Sequence, residues 1–213
     1  SWTTVSSGAT SITGLSDALV ENSSIYIGNN PSSTTSMAEE NVAVGVEALN
    51  SITTGDYNVA VGTNALYYNT TGEDNTASGP YALYNNTTGD DNMASGMQAL
   101  FNNTTGDDNM ASGSSALYYN TTGNFNTASG GARALYYNTT GDNNTASGSF
   151  ALYSNTTASF NTAVGYDALR DANRTADVNA YNTAIGYRAG NTGTNDITTG
   201  DKNVLIGSST AAS

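Results

Sequence analysis

The chain has 213 residues, 18 acidic and 5 basic side chains, a net charge of −13, and neither cysteine nor histidine. Disulfide frameworks, thiolate metal sites and histidine-dependent acid–base or nucleophile chemistry are thereby excluded. The first base is Arg133, so the phosphate contacts that nucleic acids and anionic membranes demand find no cationic partner anywhere before it.

Taken in chain order, residues 1–23 read as a lead-in or N-terminal cap. Ser1-Trp2-Thr3-Thr4 and, at the far end, Ala211-Ala212-Ser213 read as cuts from a longer polypeptide. No secretory signal opens the chain, and no apolar run approaches the roughly 18 residues of a membrane span. Only 37% of residues are hydrophobic and 11% charged. Such a composition points to disorder unless the order of Asn, Thr, Gly and Ser imposes structure.

It does. Asn41-Val42-Ala43-Val44-Gly45 returns at Asn58, Asn75, Asn92, Asn109 and Asn126 with a constant step of 17, and then at Asn144, Asn161, Asn182 and Asn203 with steps of 18, 17, 21 and 21. Ser24-Ile25-Tyr26-Ile27-Gly28 lies one regular step before Asn41 and fits a degenerate first unit, which makes about eleven coils. The full unit is N-x-A-x-G-x-x-A-L-x-x-N-T-T-G-x-x, and its Asn is position 1 below. Residues 24–160 form the regular array, and 161–213 the irregular, longer coils and C-terminal end.

So short a period cannot hold the helix pairs of common repeats. N-x-A-x-G alternates as a strand does, and Gly and Asn supply corners. The spacing predicts an all-β, parallel β-solenoid or β-roll, each unit one coil with about two short strands and two corners. Stacking puts like on like. Ala at position 3 and Leu at position 9 line a narrow interior, and Asn at positions 1 and 12 form ladders along the axis. At the parallel-strand spacing of roughly 4.8 Å, eleven coils make a rod on the order of 50 Å long.

Such a core is thin, and repeat arrays need covered ends. Val42, Val44, Val59, Val61, Val164, Ile185, Val204 and Ile206 flank the buried position and face away from it, so the end coils expose apolar pairs. They suit an inter-chain seam, and three chains around an axis are expected. The middle coils use Thr and Ser there, which implies a wetter seam.

Asn161 to Leu169 reads N-T-A-V-G-Y-x-A-L, and with the N-T-T-G corners it resembles repeats in tail-fibre and other structural proteins of bacteriophages, especially marine ones. It also looks like the head repeats of trimeric autotransporter adhesins, whose unit is shorter. The resemblance spans roughly residues 24–207. It implies a homotrimer, a fibrous role, surface or host attachment, and fibre or baseplate proteins as partners.

Several residue columns carry possible chemistry. Asp90-Asp91, Asp107-Asp108 and Glu73-Asp74 stack at one corner, where hard oxygens would suit Ca²⁺. A solvated turn explains them better, because the column breaks at Asn124-Phe125 and Ser159-Phe160. Tyr67, Tyr84, Phe101, Tyr118, Tyr136 and Tyr153 form an aromatic column that could stack sugar rings of a host-surface glycan, although a packed ladder or chain contact is favoured. Tyr68, Tyr119 and Tyr137 add a second, less regular column. The Asn-Thr-Thr corners match N-glycosylation sequons but suit corner hydrogen bonding. Thr-Ala-Ser rows suggest an ice-binding face, interrupted by Met93 and Met110. No unit carries a catalytic pair, so no enzyme and no cofactor are expected. The repeat departs from its period at Gly131-Ala132-Arg133 and in the longer coils at residues 171–181 and 191–202, and the C-terminal third, which holds four of the five bases, is the place to look for any specific binding site. The leading expectation is a rigid virion fibre segment, followed by a bacterial adhesin or secreted extracellular filament, then an ice- or sugar-binding solenoid.

Overall fold

The computed structural model describes residues 18–21, 23–27, 37–171, 179–191 and 202–209. Most of the lead-in, and residues 172–178 and 192–201 of the two longer coils, lie outside them.

The strands are β1 (Ala18–Glu21), β2 (Ser24–Ile27), β3 (Val42–Val44), β4 (Val59–Val61), β5 (Thr76–Ser78), β6 (Met93–Ser95), β7 (Met110–Ser112), β8 (Thr127–Ser129), β9 (Thr145–Ser147), β10 (Thr162–Val164), β11 (Thr183–Ile185) and β12 (Val204–Ile206). They form one sheet in chain order. β1 pairs antiparallel with β2 and occupies the edge that β2 would otherwise present. From β2 to β12 every pairing is parallel and in register, with Ala43 opposite Ala60 and Ala60 opposite Ala77. The chain is a β-solenoid, as the period predicts, and no helix among the described residues is long and apolar enough to cross a membrane.

The expectation of about two strands per coil is corrected, since the described residues hold one short strand per regular unit. The return path is non-extended because Leu at position 9 is left-handed, with φ of +51° at Leu49, Leu66, Leu83, Leu100, Leu117, Leu135 and Leu152. The backbone there still bonds from coil to coil, as from Leu66 N to Ala82 O (3.0 Å) and from Tyr68 N to Tyr84 O (3.0 Å). A left-handed Leu costs roughly 1–2 kcal/mol, and burying its side chain returns about 1.5–3 kcal/mol. All seven leucines are fully buried.

The interior holds the Ala of positions 3 and 8 and the Leu of position 9. Its walls approach closely: a Cβ added to Gly79, at φ +140°, would lie 2.7 Å from the carbonyl carbon of Gly96 in the next coil. That contact and that φ both require glycine.

Two buried asparagine ladders close the core. At position 1, Asn58 N donates to Asn41 Oδ1 (2.8 Å), while Asn58 Nδ2 donates to Gly72 O (2.9 Å). At position 12, Asn86 Nδ2 donates to Asn69 Oδ1 and to Gly89 O, both at 2.8 Å. Ile52 replaces Asn at the start of the second ladder and is buried there. At the other end, Asn155 Oδ1 is buried and has no hydrogen-bond partner among the described residues.

Candidate functional site

The acidic column has a structural use. Asp90 Oδ1 accepts a bond from Glu73 N (2.8 Å), Asp107 Oδ1 from Asp90 N (2.9 Å), Asn124 Oδ1 from Asp107 N (2.8 Å), Asp142 Oδ1 from Asn124 N (2.7 Å), and Ser159 Oγ from Asp142 N (2.9 Å). From Asp90 to Ser159, position 16 therefore supplies a side-chain oxygen, charged or not, and Asn124 and Ser159 continue the column rather than break it. Asp91 and Asp108, at position 17, are exposed and left-handed, with φ of +56°. No group of three or more carboxylates placed to hold a metal ion occurs among the described residues.

The first aromatic column is continuous. Tyr67 stacks on Tyr84 (ring centroids 5.2 Å), Tyr84 on Phe101 (5.1 Å), Phe101 on Tyr118 (5.1 Å), Tyr118 on Tyr136 (5.3 Å) and Tyr136 on Tyr153 (5.3 Å). Each interior ring spends both faces on its neighbours, which leaves edges rather than faces for a ligand. Burial raises the hydroxyl pKa of Tyr84, Tyr136 and Tyr153, and hydrogen bonding with Tyr68 and Tyr137 adds to the rise at Tyr84 and Tyr153 respectively. Arg170 occupies the next slot of the column. Its guanidinium lies 5.2 Å from the Tyr153 centroid and is held by Asp167 at 3.1 Å.

The second column is interrupted. Tyr119 stacks on Tyr137 at 5.3 Å, but Asn85 and Asn102 stand where two further rings would stand between Tyr68 and Tyr119. The result is an open notch of about 680 Å³, bounded by Tyr68 and Tyr119, floored by Asn85 and Asn102, and walled by a threonine column that includes Thr87 and Thr104. Asn85 Nδ2 donates to Asn102 Oδ1 (3.2 Å), and Asn102 Nδ2 to Tyr118 O (3.0 Å). Thr87 Oγ1 donates to Thr104 O (2.9 Å) and Thr104 Oγ1 to Thr121 O (3.0 Å), which leaves each hydroxyl oxygen as an acceptor. No carboxylate or base lines the notch. Reasoning from the regular unit misses it; the signal is Asn at position 11 of two successive units, between Tyr68 and Tyr119, in a column that also holds Ser51 and Ser154.

The first asparagines of the Asn-Thr-Thr corners, Asn69, Asn86, Asn103, Asn120, Asn138 and Asn155, are fully buried. The amide nitrogen that a glycan would need is the ladder donor in each of Asn86, Asn103, Asn120, Asn138 and Asn155. The fold therefore uses these corners as struts.

The strand face is apolar at both ends. Val42, Val44, Val59 and Val61 are 36–43% exposed, Val164 and Ile185 are 38% and 42% exposed, and Val204 and Ile206 are each 70% exposed. Parallel register aligns Val42 with Val59, Val44 with Val61, and Val164 with Ile185 and then Ile206. Met93 and Met110, at 48% and 43% exposure, carry apolar surface into the middle coils. Compared with known proteins, the chain matches no family model, no curated protein sequence and no solved structure.

Proposed function

We propose that the chain is a rigid structural segment of a virion fibre, of the kind that phage tail fibres use, which works as a stiff spacer and not as a catalyst. It associates with copies of itself, three around an axis, through the strand face. The observation that carries this reading is the pair of aligned, exposed apolar stripes on that face. Stripes of Val and Ile in register on a narrow rod match the same stripes on another copy, because every coil repeats the spacing. The likeness of N-T-A-V-G-Y-x-A-L and N-T-T-G to phage fibre repeats supports the fibrous role, and the uniformity of the coils supports a part whose work is length.

Sedimentation equilibrium, with and without EDTA, tests it. A mass of three chains, unchanged by EDTA and reduced by the substitutions Val61→Asp and Ile185→Asp together, is the expected result. A stable monomer overturns the seam. A trimer that falls apart on chelation transfers the association to a metal bound at the acidic corner.

A further inference from the structure

We propose that the notch between Tyr68 and Tyr119 is a binding site for a neutral saccharide of about two pyranose rings. Its dimensions come from the repeat. Three coil steps separate the two tyrosines, about 14 Å at the parallel-strand spacing. Stacked rings in the two columns stand 5.1–5.3 Å apart, so the shorter side chains of Asn85 and Asn102 open a length of two ring spacings, into which linked pyranose rings fit lying along the notch.

The chemistry of the walls selects the ligand. Tyr119 stacks on Tyr137 on one side and lines the notch with Tyr68, and the two rings are 39% and 44% exposed respectively. An aromatic ring with its negative face attracts the weakly positive C–H groups on the apolar face of a sugar. The floor then supplies what a planar hydrocarbon would waste. Asn85 Oδ1 has no hydrogen-bond partner among the described residues, Asn85 and Asn102 each keep a second amide hydrogen, and the threonine oxygens accept. Donors and acceptors set between aromatic ends suit a ligand with hydroxyls on its rim and C–H groups on its faces.

Charge narrows the class. No ionised group lines the notch, and the chain carries −13 overall, so nucleotides, sulfated glycans and sialylated glycans are repelled. The notch lies on the return path of the coil, away from strand positions 2 and 4, so a seam on the strand face leaves it open.

Saturation-transfer NMR on the full chain tests the site with maltose, cellobiose, lactose and diacetylchitobiose as probes, and sialyllactose as the acidic control. The decisive variant is Asn85→Tyr with Asn102→Tyr, which fills the notch with the residue that three other coils carry at the same position, at Tyr68, Tyr119 and Tyr137, and so preserves the fold. The expected result is saturable binding of at least one neutral probe, abolished by the double variant and weakened roughly tenfold by Tyr119→Ala. The proposal is overturned if no neutral probe binds, if the acidic control binds more tightly, or if the double variant binds unchanged. It is also overturned if the double variant lowers the sedimented mass, because the notch then holds a second copy of the chain. Loss of sugar binding with the mass unchanged separates this site from the fibre reading.

Discussion

Asn103 donates its side-chain amide to Asn86 Oδ1 at 2.8 Å and, with its other amide hydrogen, to Gly106 O at 2.8 Å. One buried side chain thus joins two coils and closes a corner. Asn103→Ala leaves Asn86 Oδ1 without its donor and an amide hydrogen of Asn120 without its acceptor in a dry core, while Gly106 O keeps its bond from Asn92 Nδ2 (2.8 Å). The expected loss is about 2–4 kcal/mol, at roughly 1–3 kcal/mol for each orphaned buried group with partial relaxation. Asn103→Asp is worse, because it sets a carboxylate against two carbonyl oxygens. Thermal unfolding followed by circular dichroism checks the order, wild type above Ala above Asp.

The acceptor column makes a sharper distinction. Asp107→Asn preserves the oxygen that receives Asp90 N and removes one charge from a like-charged stack. Its expected stability lies within about 0.5 kcal/mol of wild type. Asp107→Ala removes the oxygen and loses about 1 kcal/mol. Added Ca²⁺ is expected to shift neither melting curve. A Ca²⁺-dependent stabilisation of wild type that Asp107→Asn abolishes would falsify the hydrogen-bonding role.

The two columns differ in how readable they are. The period, the Ala–Leu interior and the Asn ladders are legible because each is one residue type repeated at one position. The position-16 column is not, because what Asp107, Asn124 and Ser159 share is an oxygen atom rather than a charge or a name. The return path reads as a second strand because nothing in leucine's chemistry announces φ +51°. Only the close stacking of identical coils holds the backbone there. The notch escapes for the opposite reason, since it exists where two successive units carry Asn in place of a ring.

Close stacking predicts the most damaging small change. In Gly96→Ala the new methyl would lie 2.8 Å from the Gly113 carbonyl carbon and oxygen, at a φ of +136°. The coils cannot part by the needed distance without lengthening their backbone hydrogen bonds, such as Gly113 N to Ser95 O at 2.8 Å. The expected cost exceeds about 3 kcal/mol, combining overpacking with a backbone strain of order 1–3 kcal/mol. Ser95→Ala, one residue away on the exposed strand face, serves as the control and is expected to be neutral.

The tyrosine column sets an alkaline limit. Tyr84, Tyr136 and Tyr153 have hydroxyl pKa values raised by burial, so the folded chain holds these protons more tightly than the unfolded chain. Their contribution to stability is complete below the unfolded tyrosine pKa of about 10 and is lost as pH rises from there through the folded values. Parallel titrations of phenolate absorbance and of melting temperature are expected to show stability falling within that window. Tyr84→Phe and Tyr153→Phe together flatten the fall, and Phe101 shows that the stack accepts a ring without a hydroxyl.

Arg170 ends the same column by a different interaction. Its guanidinium lies 5.1 Å from the Phe150 centroid and 5.2 Å from that of Tyr153, and is oriented by Asp167 at 3.1 Å and Asp171 at 3.9 Å. It covers the ring face that would otherwise terminate the stack in water. Arg170→Gln removes the cation and is expected to cost about 1 kcal/mol, from half-exposed cation–π contacts with a small ion-pair contribution. Arg170→Tyr replaces the cap with a further ring and is expected to match or exceed wild type. Melting temperatures that are identical for wild type and Gln would show that the column needs no cap. If Tyr fell below Gln, the slot would be shaped for the guanidinium and not for a continuing stack.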